Sequence, residues 1–73
     1  MDISYNKLWK LLIDKEMKKK DLRSGAKIST NTMAKLGKNE YVAMDILVRI
    51  CRYLNCDIGD IMEVKPEQKE END

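Results

Sequence analysis

MKKKDLRSGAKISTNTMAKLG, residues 17–37, holds two short helix patterns with almost nothing between them. Leu22 and Ala26 stand one helical turn apart, which predicts a helix over Lys19–Ala26 with those two side chains inward. Lys27 and Ile28 form a tight turn. Ser29 is a residue type that caps helix N-termini, because its side-chain oxygen can accept an otherwise unpaired backbone N–H. It opens a second helix, Thr30–Gly37, whose Met33 and Leu36 point inward. That leaves Thr30, Asn31, Ala34 and Lys35 on the outer face.

On the N-terminal side, Leu8, Leu11 and Leu12 form the core stripe of a first helix over Tyr5–Glu16, with Ser4 as its cap. Tyr5, Trp9 and Ile13 widen its apolar arc to roughly 200°, more than a helix in so small a domain needs. After a loop at residues 38–42, Leu47, Ile50, Cys51 and Leu54 define a fourth helix, Met44–Leu54, ended by Asn55 in the left-handed conformation. Asp57 and Asp60 have the spacing of a capping box for a short fifth helix, whose Ile58, Ile61 and Met62 close the core. Strand signals are nearly absent. The reading is therefore all-α, five short helices in one domain over residues 1–64, with an acidic, disordered tail at 65–73.

At 73 residues, the chain buries only about 60% of its unfolded surface, so its core is thin. It has no histidine, and Cys51 and Cys56 have no ligand spacing for zinc, so no metal or cofactor is expected. A single disulfide between them is possible on paper, but Cys51 falls inside an apolar helix pattern and reads as a reduced, small hydrophobe. Paired carboxylates in an apolar setting and glycine-rich phosphate loops are missing too. The chain is also too short to wall off a pocket of the usual roughly 300–1,000 Å³, which argues against an enzyme. No run approaches the roughly 20 apolar residues of a membrane span, and the start is unlike a signal peptide. A cytoplasmic protein is the expectation.

The formal net charge of +1 hides a division. Residues 1–56 carry a net of +6, all of it concentrated within 15–38, whereas residues 57–73 carry −5. Such asymmetry suits a polyanion-binding region beside an acidic tail, and suits equally a solvated lysine-rich surface. The pair of helices in 19–37 allows the same two readings. It has the apolar contacts and the short polar outer residues of a unit whose second helix enters the DNA major groove. It is also an ordinary amphipathic helical hairpin.

Residues 8–64 resemble the Xre, or lambda-repressor-like (Cro/CI-type), helix-turn-helix family. Met17, Leu22 and Ile28 match its apolar positions before, within and after the first helix of the pair. Ser29 matches its recognition-helix cap, and Thr32-Met33-Ala34-Lys35-Leu36 its T-[IVM]-[SA]-[KR]-L segment. The segment ILVRICRYLNCDIGDIM, residues 46–62, is similar to the ending of a subgroup of small stand-alone bacterial regulators. There are departures. Lys19 stands where the family usually has a phosphate-holding Gln, Arg23 where a small Ala is customary, and Lys27 where the turn Gly is expected. Gly37-Lys38-Asn39 replaces the frequent Glu-Asn-Gly.

The resemblance implies a lambda-repressor-like fold and a transcription regulator beside the bacterial nucleoid. Thr30, Asn31, Ala34 and Lys35 would face bases. Lys19, Lys20, Ser29, Thr32, Lys38 and Asn39 would hold phosphates, with Ser29 equally readable as a cap alone. Lys18 and Lys27 read as solvated. Double-stranded DNA is the implied partner, bound as a homodimer, with RNA polymerase or another regulator as further partners. Tyr5, Trp9 and Ile13 are a candidate dimer interface or a part of the core, and the Ile58–Val64 end is a second candidate interface. A competing function is a protein-interaction module, antitoxin-like or adaptor, built on the same fold.

Overall fold

Each helix boundary but one, the start at Ala43, traces to a capping side chain or to a residue in the left-handed conformation. In the computed structural model, which describes residues 2–66, strand β1 (Ile3–Ser4) leads into four α-helices. These are α1 (Asn6–Asp14), α2 (Lys19–Gly25), α3 (Thr30–Gly37) and α4 (Met44–Leu54). A single 3-10 turn (Ile58–Asp60) and strand β2 (Glu63–Val64) follow. The Ser4 hydroxyl accepts the Asn6 N–H at 3.1 Å, so it does serve the start of α1, from one residue further out than expected. Ser29 accepts the Thr32 N–H at 3.1 Å and opens α3 at its expected residue. Asp21 returns its carboxylate to the Lys18 N–H at 2.9 Å at the head of α2.

All four helices end alike. Glu16, Lys27, Asn39 and Asn55 have φ between 56° and 58°, the left-handed region. In each case the next residue's N–H reaches back five positions: Met17 to Leu12, Ile28 to Arg23, Glu40 to Lys35 and Cys56 to Cys51, at 2.8–2.9 Å. This closing bond satisfies carbonyls the helix leaves orphaned. Glycine is the usual occupant of the left-handed position, yet none of the glycines adopts it. Lys27 thus keeps the expected turn shape and bears the strain of a β-carbon there, about 1–2 kcal/mol. Lys27→Gly is expected to stabilise the domain by about 1 kcal/mol, after allowing for the greater freedom of the unfolded glycine chain. Thermal denaturation reads it as a rise in Tm of about 4–8 °C, and an unchanged or lower Tm refutes it.

Gly25 has a different purpose. A β-carbon at this position would fall within the Tyr53 ring, so glycine lets α4 lay that ring directly on α2. Across the same contact the Arg49 guanidinium donates to the Lys27 carbonyl at 2.9 Å. The turn between α2 and α3 is thereby tied to α4.

The core is built where the helices converge. Leu8 and Leu12 of α1, Leu22 of α2, Leu36 of α3 and Leu47, Ile50 and Leu54 of α4 are buried together with Ile28 and Ile61. Cys51 is buried and Cys56 half-buried, both as free thiols. Burial pushes the Cys51 thiol up from 9.0 to about 11, with Cys56 beside it adding to the rise, so it stays protonated at neutral pH.

Three expectations are corrected. The fifth helix is only the 3-10 turn, held by the Asp57 N–H donating to Asp60 Oδ2 at 2.9 Å. Only three residues separate Asp57 from fully buried Ile61, beyond which the chain extends into β2, so no α-helical turn can propagate. Second, strands exist. β1 and β2 pair antiparallel, Ile3 opposite Val64 and Ser4 opposite Glu63. Third, Lys65 is not free tail: its N–H donates to the Asp2 carbonyl at 2.7 Å and extends this clasp. The expected disorder of the rest of the tail concerns residues 67–73, which lie outside the described residues.

Candidate DNA-reading surface

The surface around α3 is organised by one buried residue and one cap. Leu36 is 0% exposed and fixes which side of α3 meets the core. With 100° between successive residues, Thr30, Asn31, Ala34 and Lys35 then share the opposite side, and all four are exposed. Thr32 and Met33 lie half-buried at the flanks. The Ser29 hydroxyl donates to Thr32 Oγ1 at 3.0 Å while accepting the Thr32 N–H. Its one donor is thus engaged and it acts as a cap, leaving the Thr32 hydroxyl hydrogen as the donor at this corner.

Exposed basic side chains lie on α2 and at the end of α3. Lys19 and Lys20 are exposed on the first turn of α2, and Lys38 is exposed just past α3. Lys19 is not free in solvent, because its Nζ sits 4.5 Å from the centre of the Trp9 ring. Lys18 and Lys27 are exposed as expected of solvated lysines, although the backbone of each is used by a neighbour.

Asn39 has a structural duty that its residue type alone did not disclose. Its Oδ1 accepts the Tyr5 N–H at 3.0 Å, and the Tyr5 hydroxyl donates to the Glu40 carbonyl at 2.9 Å. This double clasp locks the loop after α3 to the start of α1. The only advance signal was Asn at a helix end, which favours the left-handed position that aims this side chain. Burial pushes the Tyr5 phenol above its ordinary pKa, so it remains a donor.

The clasp also corrects the reading of Tyr5 as part of a dimer interface. Tyr5 is 0% exposed and belongs to the core. Trp9 is half-buried against the core, and Ile13, at 72% exposure, is the outward-facing member of that stripe. The stripe therefore splits between interior and surface, because a 200° arc exceeds the side of α1 that the other helices cover.

Among the described residues, no group of three or more His, Cys, Asp or Glu side chains could hold a metal ion. No helix among them is long and apolar enough to cross a membrane.

Comparison with known proteins agrees with this geometry. The family model for the Cro/C1-type HTH DNA-binding domain matches residues 7–67. The chain is similar to the transcriptional regulator VanUg in its form II crystal structure, at 61% sequence identity and a TM-score of 0.87. That match covers 90% of this chain and 88% of the other. Among curated proteins none matches. With a family match over most of its length and a fold that exposes the outer face of α3, the chain belongs to the Cro/C1-type helix-turn-helix DNA-binding transcriptional regulators, which are not enzymes.

Proposed function

We propose that this regulator binds an operator as a two-fold dimer, each copy laying α3 in the major groove and α2 across the backbone. The observation that carries the reading is the division of α3, with Leu36 fully buried and Thr30, Asn31, Ala34 and Lys35 exposed together opposite it. Asn31 offers the donor and acceptor that match adenine N7 and N6, and Lys35 donates to guanine O6 or N7. The Ala34 methyl meets a thymine methyl, and the Thr30 hydroxyl serves either kind of edge. Lys19, Lys20, Thr32 and Lys38 hold phosphates and set the register, joined by the amide Nδ2 of Asn39, whose Oδ1 is already taken.

Pairing matters because one domain of this size reads one half-site, and a two-fold dimer reads two, about one helical turn apart. Exposed Ile13 and Val64 are apolar residues available to such a pairing. The output is a change in transcription, by blocking RNA polymerase or by recruiting it or another regulator, at the nucleoid in the cytoplasm.

The test is titration of the full chain with the duplex upstream of its own coding sequence and with a scrambled duplex, each at 50 and 200 mM salt. Lys19, Lys20 and Lys38, counted over two copies, make six phosphate contacts. Promoter affinity is therefore expected to fall by about three decades between the two salt concentrations. Weak binding that is equal for the two duplexes overturns the operator reading and favours a protein partner instead.

A further inference from the structure

Lys19 is the first residue of α2, exposed, and lies within the +6 stretch of residues 15–38. Lysine is an awkward ligand for a fixed phosphate, since its ammonium is a strongly hydrated point charge on a four-carbon stem that loses rotamer freedom when held. Here the stem is not left to wander. Lys19 Nζ lies 4.5 Å from the Trp9 ring centre, within the range where the electron-rich face of an indole attracts a cation. Trp9 is itself steadied, because it sits half-buried on α1 one residue from fully buried Leu8. The nearby Asp21 carboxylate is engaged by the Lys18 N–H at 2.9 Å. An ammonium has three donors and a ring face offers it no lone pair, so the N–H groups turned from the ring stay available to an anion.

We propose that Trp9 is a positioning residue for DNA binding: its indole face holds the Lys19 ammonium ready for a backbone phosphate. Trp9 touches no DNA in this arrangement and acts through Lys19. The proposal rests on the DNA-binding reading above and adds a residue from α1 to it.

The experiment compares wild type, Trp9→Phe, Trp9→Leu, Lys19→Met and the Trp9→Leu/Lys19→Met double variant. Affinity for the promoter duplex and for the scrambled duplex is measured across a salt series. Trp9→Leu and Lys19→Met are each expected to weaken binding by about three- to tenfold at low salt. The double variant is expected to be no weaker than Lys19→Met alone, the mark of two residues acting through one contact. Lys19→Met flattens the slope of log affinity against log salt by about 0.9 per copy bound, as one lost phosphate contact requires. Trp9→Phe, which keeps an aromatic face, retains most of the affinity. Trp9 is also the sole tryptophan, so wild-type emission is expected to change on adding duplex, and the change to vanish in Lys19→Met.

Additive losses in the double variant, or an unchanged salt slope in Lys19→Met, overturn the proposal. If Trp9→Leu fails to fold, Trp9→Phe, the Lys19→Met slope and the emission change still decide it. A phosphate contact is blind to sequence, so these readouts also work on the scrambled duplex. Loss of promoter preference alone therefore sinks the operator reading and leaves this proposal standing or falling by itself.

Discussion

Asn31→Ala and Lys35→Ala are each expected to lower affinity for the promoter duplex by about 5- to 150-fold while changing binding to a scrambled duplex little. The range follows from the roughly 1–3 kcal/mol of discrimination that a good side chain to base-edge pair supplies. Both side chains are exposed on the face of α3 opposite Leu36, so truncating them removes no core contact. Their loss should leave the melting temperature within a few degrees of wild type. The salt slope should also hold, because base contacts release no phosphate counterions. Titration against duplexes substituted one base pair at a time checks the assignment. Each variant should become indifferent at one operator position and remain selective at the rest. A uniform loss across all duplexes would instead make Lys35 a phosphate ligand and leave base reading to other residues.

Leu36→Ala is expected to cost about 2–5 kcal/mol of stability, the range for a fully buried leucine truncated in a packed core. For 73 residues the whole stability is on the order of 4–11 kcal/mol, so one residue stands for a large share of it. Leu36 is 0% exposed and is the one fully buried side chain of α3. Its removal leaves that helix attached by the Ser29 cap, half-buried Met33 and the closing bond from Glu40 to Lys35. Thermal or urea denaturation should show Tm falling by roughly 10–30 °C. Leu36→Met, close in volume, should cost under about 1.5 kcal/mol. A loss below about 1 kcal/mol for the alanine variant would mean that α3 is not anchored through this side chain. DNA binding should weaken along with folding, which separates this variant from Asn31→Ala, whose fold is intact.

These two results have different origins in the chain. The anchoring of α3 and the exposure of its reading face follow from spacing alone. Leu36 lies five residues after Asn31 and one after Lys35, and a helix of 3.6 residues per turn must send them to different sides. Ser29 placed the start of that helix correctly because its cap is satisfied within three residues. The same holds for α4, where Leu47, Ile50, Cys51 and Leu54 are all buried as their period requires. The asymmetric charge likewise needed no coordinates.

Other features depend on residues far apart in sequence, and periodicity is silent about them. Tyr5 and Asn39 are 34 positions apart, and their hydrogen bond turned a candidate interface residue into core. The strands have two residues each, too short for an alternating pattern, and they form because the folded helices bring Ile3 beside Val64. The same convergence stops the expected fifth helix after one 3-10 turn. Trp9 and Lys19 belong to different helices, and only the packing of α1 near α2 sets indole face against ammonium. The four α-helices and the outward face of α3 were therefore legible in the chain, since they are satisfied within a turn or two. The clasp, the strand pair and the partner of Lys19 were decided by tertiary structure, since each needs two distant segments to meet.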